Sequence, residues 1–165
     1  MQKLLTAVCL FLSLSAFTQH KSSIDLAAIR NFRTHHNGLN VSFFYHFNEH
    51  LTAGVEMNRF FPVTKKIGTE ELKESAWDFD YNLHYILPVH KSLKYYPILG
   101  FSHTSEKESL TESGENSYVR FWSANTGLGL LLETGKVSPH IEYLATWGKR
   151  NQQFILAGLS VELEW

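Results

Sequence analysis

The feature that most constrains this chain is an alternation of apolar and polar residues, repeated segment after segment from Leu39 to Trp165. In "AWDFDYNLHYILPV", Trp77, Phe79, Tyr81, Leu83, Tyr85, Leu87 and Val89 share one face, and Asp78, Asp80, Asn82 and His84 share the other. Successive side chains of a strand point to opposite sides, so a period of two predicts strands with one apolar and one polar face. The same pattern runs through "LNVSFFYHF", "LTAGVEMNRF", "LKYYPILGFS", "YVRFWSANTGLGLLLE", "VSPHIEYLATW" and "FILAGLSVELEW", and no segment carries a sustained helical stripe. An eighth strand is expected in "IDLAAIRNF", Ile24 to Phe32, with its orientation open. Either Ile24, Leu26 and Ala28 share a face with Arg30, or Ala27 and Ile29 share one with Asp25. Pro97 interrupts an otherwise apolar strand and implies a bulge or a local gap in pairing.

The first residues read differently. Lys3 is followed by the apolar run Leu4 to Leu14 and by small residues near Ala16 and Thr18, the layout of a cleaved signal peptide over residues 1–18. Cleavage after Ser15 is the competing choice. The barrel domain is then expected over residues 19–165. Cys9, the single cysteine, falls inside the apolar run, so the mature chain would have no disulfide. With 15 Lys+Arg against 16 Asp+Glu, the charge balance offers no basic stripe for nucleic acid. The histidines do not cluster at ligand spacing: His35 and His36 are adjacent and would point apart on a strand, so no metal is expected. No cofactor is implied either.

The connections alternate in length. "NEH", "HKS" and "TGK" are tight turns, whereas Pro62 to Ser75 and His103 to Ser117 read as long polar loops. No apolar run in the mature chain is long enough for a spanning helix, so only a closed β-barrel could place it in a membrane. Outer-membrane barrels carry short turns at one end and longer loops at the other.

Periodicity alone does not say which face points inward, and a water-soluble, lipocalin-like periplasmic barrel alternates as well. Three features favour a membrane barrel. Trp77, Trp122 and Trp147 fall at the loop ends of their strands, and Trp165, Tyr85 and Tyr95 at the turn ends, as in two aromatic girdles. The apolar faces are free of charge from Trp77 to Val89 and from Ile155 to Trp165. The polar faces carry bulk and charge: Glu56, Asp78, Asp80, His84, Lys94, His140, Glu142 and Glu162 form the expected interior polar network. An interior of about eight strands is just filled by side chains, which implies a plugged barrel and not a pore.

With these features the chain resembles the small bacterial outer-membrane β-barrels, the group of OmpX and the OmpA membrane domain. The local motif is the end of the chain, Leu159, Val161, Leu163 and Trp165 at alternate positions. The resemblance implies an all-β, eight-stranded antiparallel up-and-down transmembrane barrel. It also implies export to the outer membrane of a Gram-negative cell, contact with its lipid and lipopolysaccharide, and a terminal segment read by the barrel-assembly machinery. A monomer is expected. The role expected is structural or surface-interacting, and the charged loops 62–75 and 103–117 are the surface left for any extracellular ligand, if there is one. Some barrels of this kind are lipid A deacylases that use a His-x-Ser pair with a Glu. His103, Ser105 and Glu115 are the nearest match here, but Glu106 follows Ser105 where the resemblance calls for Asn. A non-enzymatic protein is therefore the first expectation and a deacylase the alternative.

Overall fold

The computed structural model describes residues 21–67, 70–110 and 116–164. The expected leader, residues 1–18, lies outside this set, as do Glu115 and Trp165. Nine strand segments follow in order: β1 Lys21–Asn31, β2 Asn37–His46, β3 Leu51–Ile67, β4 Glu70–Tyr85, β5 Leu87–Pro88, β6 Leu93–Leu110, β7 Asn116–Leu132, β8 Val137–Gly148 and β9 Gln152–Glu164. Each pairs antiparallel with its neighbours, and β1 also pairs with β9, which closes the sheet. β4 and β5 both run along β6, so they are one broken stave and the barrel has eight.

The break has a local cause. β4 pairs with β6 down to His84↔Ile98, and pairing resumes at Leu87↔Tyr95. The skipped stretch lies opposite Pro97, which has no N–H to give to the ladder. The freed Ile86 N–H donates instead to the His50 carbonyl at 2.6 Å. On its other side Pro97 stays in register with Leu128. The gap anticipated at Pro97 is therefore present, on one side only.

The register fixes the geometry of closure. Partners followed once around, from Lys21 through His46, Thr52, His84, Ile98, Gly127, Leu144 and Phe154, return to β1 at Asn31. That is a stagger of ten residues between Lys21 and Asn31. With ~3.3 Å per residue and ~4.8 Å between strands, the strands tilt roughly 40° from the barrel axis, inside the usual range.

The faces sort by chemistry. Leu26, Leu39, Val55, Leu83, Leu99, Leu128 and Leu159 are exposed on the outside, while Asn40, Glu56, Asp78, Asp80, Asn82, Asn125 and Glu142 are buried inside. The orientation of β1 is settled: Asp25, Ala27 and Ile29 point inward, and Ile24 and Leu26 outward. The interior is not uniformly polar. Phe60 and Phe154 stack with ring centroids 5.7 Å apart, and Ile29, Ile98, Leu144 and Leu156 are buried with them. Large interior rings need small neighbours. The Tyr96 ring fills the space that a Cβ on Gly129, its register partner, would occupy.

One expectation needs correction. The stretches Pro62–Ser75 and His103–Ser117 are not loops over most of their length. β3 and β4 continue as a paired hairpin out to Ile67↔Glu70, and β6 and β7 remain paired out to Ser109↔Asn116. β4 and β6 stay paired as far as Leu72↔Leu110, so four strands rise together beyond the rest of the wall. The reason is that both faces of this ledge meet water. Strand pairing there needs no apolar alternation, and the sequence signal for it vanishes. A bulge between Phe60 and Val63, at Phe61–Pro62, marks where the ledge leaves the barrel. The tight turns at residues 48–50, 90–92 and 134–136 lie at the opposite end, as expected.

Candidate functional site: the interior network and the two mouths

The interior positions of β2, β3, β4 and β7 build a network of carboxylates and amides. Asn82 Nδ2 donates to Glu56 Oε1 at 2.6 Å, and Asn40 Nδ2 reaches Glu56 Oε2 at 3.3 Å. Asn40 also donates to Asn58 Oδ1 at 2.8 Å, and Asn58 donates to Asp80 Oδ2 at 2.7 Å. Asn125 Nδ2 crosses over to Asn82 Oδ1 at 3.1 Å. It passes above Gly100, the residue in register between them, where any Cβ would strike Asn82. Between β6 and β8 the Tyr96 hydroxyl donates to Glu142 Oε1 at 2.7 Å. His84 Nε2 lies 3.9 Å from Glu56 Oε1, and His140 Nδ1 lies 3.9 Å from Asp25 Oδ2.

Of the expected network residues, Glu56, Asp78, Asp80, His84, His140 and Glu142 are buried inside the barrel. Lys94 and Glu162 are not in this network. They sit at the tight-turn mouth, where Lys94 Nζ meets Glu133 Oε1 at 2.8 Å and Glu162 faces Lys21 at 4.0 Å. Both belong to the inward parity of their strands, but at the strand ends, where water reaches them. The residues that sequence reasoning missed are the amides Asn40, Asn58, Asn82 and Asn125, together with Asp25. Among the described residues no Lys or Arg is buried, so amide N–H groups supply the hydrogen bonds that buried carboxylates require.

Each mouth holds a cavity. At the tight-turn end it measures about 650 Å³ and is bordered by Lys21, His46, Glu49, His50, Lys94, Glu133 and Glu162. At the ledge end it measures about 240 Å³, with Phe60 and Ala76 on its floor and Arg33, His36, Lys65, Glu74, Glu106 and Arg150 on its rim. The rim is tied across strands. Arg150 pairs with Glu106, Lys65 Nζ bonds Glu74 Oε2 at 2.6 Å, and Arg33 Nη1 donates to the Asn151 carbonyl at 2.7 Å. His36, buried between these groups, has its Nε2 3.8 Å from Glu74. Burial lowers the His36 pKa from 6.5, and the Glu74 carboxylate opposes that in part. Burial raises that of Glu106, against the pull of Arg150.

The remaining candidates fall on the outer wall. Trp77, Trp122 and Trp147 are exposed on the outside toward the ledge end, and Tyr85 likewise at the turn end, with Tyr95 half-buried near it. The Arg59 guanidinium lies 4.5 Å from the Trp77 ring centroid. Leu159 and Val161 face outward on β9. His103 and Ser105 share the outward face of β6, with Thr104 between them turned inside. The His103 ring packs on Trp122 at 4.8 Å, and no hydrogen bond joins it to Ser105 among the described residues. No group of His, Cys, Asp and Glu among the described residues has the arrangement of a metal site built on those side chains.

No protein-family model matches the chain, and no curated protein matches it in sequence. Solved structures do share its fold. The N-terminal barrel domain of Pseudomonas aeruginosa OprF superimposes with a TM-score of 0.72 at 14% identity, over 88% of this chain and 98% of that one. Ail, the attachment invasion locus protein of Yersinia pestis, gives 0.61 at 13% identity, over 88% of this chain and 100% of its own. Neisserial surface protein A gives 0.60 at 12%, over 90% and 98%. The fold is thus that of the small eight-stranded transmembrane barrels.

Proposed function

We propose that this chain is a small outer-membrane protein with a filled barrel, whose ledge of paired strands presents a contact surface outside the cell. The observation that carries this reading is the inverted wall. Leucines and aromatics cover the outside, and carboxylates and amides are buried within. A water-soluble barrel has the opposite arrangement, so the lipocalin-like alternative loses its physical basis. A filled interior is supported by the side chains that meet inside the barrel, Glu56 with Asn82, Tyr96 with Glu142 and Phe60 with Phe154. In this reading residues 1–18 are the cleaved export signal. Leu159, Val161, Leu163 and Trp165 address the assembly machinery, and the exposed tryptophans sit at the lipid headgroups. The protein acts as a monomer held in lipid and lipopolysaccharide, and residues 62–75 and 103–117 meet any extracellular ligand.

Cell fractionation tests the proposal. The protein should sediment with outer membranes and shift on gels with heating, and recovery in the soluble periplasmic fraction would end it. A deacylase-like activity is a second reading, favoured by one observation: His103 and Ser105 lie together on the outward face of β6, with the His103 ring on Trp122. Lipid A from cells carrying wild type, S105A or no gene should have identical acylation by mass spectrometry if the first reading holds. A difference restored only by wild type would replace it with the second.

A further inference from the structure

The four strands of the ledge separate charge by side. Strand register puts Arg59, Lys66, Lys73, Lys107 and Arg120 on the outward side, the side of Trp77 and Trp122. Among the described residues Glu71, opposite Lys66, is the single acid on that side of the ledge. The inward side carries Glu74, Glu106 and Glu108, which border the mouth cavity. Two of those inward acids meet cations of the protein, Glu106 with Arg150 and Glu74 with Lys65. The outward cations differ: no ion pair among the described residues reaches Lys73, Lys107 or Arg120.

Those three cations form a diagonal. Lys73 is in register with Ser109, Lys107 with Ser75 and Tyr118, and Arg120 with Ser105. Each step from Lys73 to Lys107 to Arg120 therefore crosses one strand and moves two residues along it. Diagonal neighbours of this kind lie about 7–8 Å apart on one face. Lys107 also borders the mouth cavity, yet its Nζ lies 5.6 Å from the ring centroid of Tyr118, which is exposed on the outward side. Three like charges this close repel one another, and an anion between them removes the repulsion. Toward the turn end the same face becomes apolar at once. The row after Arg120 carries Phe79 and Trp122, and the next carries Tyr81 and Phe101, all exposed.

We infer that the diagonal Lys73–Lys107–Arg120 binds the phosphate of a phosphorylated glycolipid in the outer leaflet. The inference rests on the outer-membrane reading above and names one partner of its ledge. A phosphate group suits the donors: Arg120 offers a planar fork, Lys73 and Lys107 offer compact charges, and all three stand on long side chains that can converge. The hydroxyls of Ser105 and Ser109 lie on the same face beside them. The apolar rows beneath decide between sources of the anion. A lipid phosphate carries acyl chains, which run down the wall over Phe79, Tyr81 and Phe101. A soluble polyanion has nothing to place there and gains only the charge contacts. The segregation itself also fits: the inward acids face the lumen mouth, away from a layer of lipid phosphates that would repel them.

The test uses the full mature chain refolded in zwitterionic detergent, with fluorescently labelled lipid A as the probe and anisotropy as the readout. Wild type should bind lipid A and lose most of that binding when the probe is enzymatically dephosphorylated. K107Q/R120Q should weaken binding at least about tenfold, as two surface cations go. K91Q/K136Q, which removes two cations at the turn end, should bind as wild type does. Should K107Q/R120Q not fold, K73Q removes one member of the diagonal and should weaken binding about fivefold. Equal binding of phosphorylated and dephosphorylated lipid A by wild type overturns the inference, and so does unchanged binding in K107Q/R120Q or K73Q. An equal loss in K91Q/K136Q overturns it as well and leaves only net charge. Heparin that displaces lipid A at equal anionic concentration moves the site to a soluble polyanion and ends the lipid assignment. A wild-type barrel that shifts on gels with heating but fails these binding tests sinks this inference alone. Recovery in the soluble periplasmic fraction instead sinks the reading on which it rests.

Discussion

At the scale of single residues, neighbours on one strand live in different solvents. Tyr95 and Tyr96 are adjacent on β6, yet Tyr95 faces the outer wall and Tyr96 the lumen. Tyr96 is 4% exposed and its hydroxyl donates to Glu142, which is buried beside it. Tyr96→Phe keeps the ring against Gly129 and removes only the donor. Leaving a buried carboxylate oxygen short of its partner costs about 1–3 kcal/mol. Tyr95→Phe, by contrast, should change stability by no more than about 0.5 kcal/mol, as surface substitutions do. Urea unfolding in lipid vesicles measures both, and equal effects would show that the Tyr96–Glu142 bond contributes nothing. The contrast between the two tyrosines was legible in the sequence, because period two assigns them to opposite faces. The amides were not. Asn40, Asn58, Asn82 and Asn125 sit at inward positions that the alternation marked as polar. Nothing in one sequence distinguishes an Asn that bridges carboxylates from one that ends a strand.

At the scale of elements, the strands within the apolar band announced themselves and the ledge did not. Burial on one face imposes alternation, and the outer parts of β3, β4, β6 and β7 have no such face to bury. Their pairing is supported instead by cross-strand contacts such as Lys65–Glu74, an exposed pair worth about 0–1 kcal/mol. β1 was ambiguous for the reverse reason: Leu26 outside and Ile29 inside are both apolar, so both of its faces read alike. The connection after β1 offers a pH test. His36 is buried there among Glu74 and Lys65, and burial holds its pKa below 6.5 in the folded protein. A depressed folded pKa means that the unfolded segment binds a proton more readily. The stability His36 lends is therefore fully present above pH 6.5 and is lost as pH falls from there toward the folded value. Glu106 runs the other way. Its raised pKa gives stability that is present below pH 4.5 and lost as pH rises through the folded value. Hydrogen exchange of residues 31–36, corrected for intrinsic rates, should quicken as pH drops below 6.5. His36→Gln should abolish that dependence. Exchange in the variant that keeps the wild-type pH profile would assign the effect to another group.

At the scale of the whole molecule, the deciding property is which solvent touches the outer wall. Leu99 lies on the outward face of β6, 62% exposed, with the Tyr81–Phe101 stack beside it. It pairs with Leu83 on one side and Thr126 on the other, well inside the barrel's paired region. If the wall meets water, Leu99→Arg replaces an exposed apolar group by a charged one. Stability should then change by no more than about 0.5 kcal/mol, and solubility should improve. If the wall meets lipid, the guanidinium must enter hydrocarbon or distort the bilayer to reach its edge, at a cost of about 2–4 kcal/mol near the midplane. Arg30, outward on β1 near its ledge end, supplies the control. A cation close to the interface costs only about 0–1 kcal/mol, so Arg30→Leu should leave folding into vesicles nearly unchanged. Denaturant titration of both variants in phosphatidylcholine vesicles measures the difference. A penalty for Leu99→Arg below about 1 kcal/mol would contradict a lipid-facing wall. A penalty in the expected range, together with a neutral Arg30→Leu, ties the alternation along the chain to the depth profile of a bilayer. Neither a sandwich nor a ligand-binding barrel in water reproduces that pair of results.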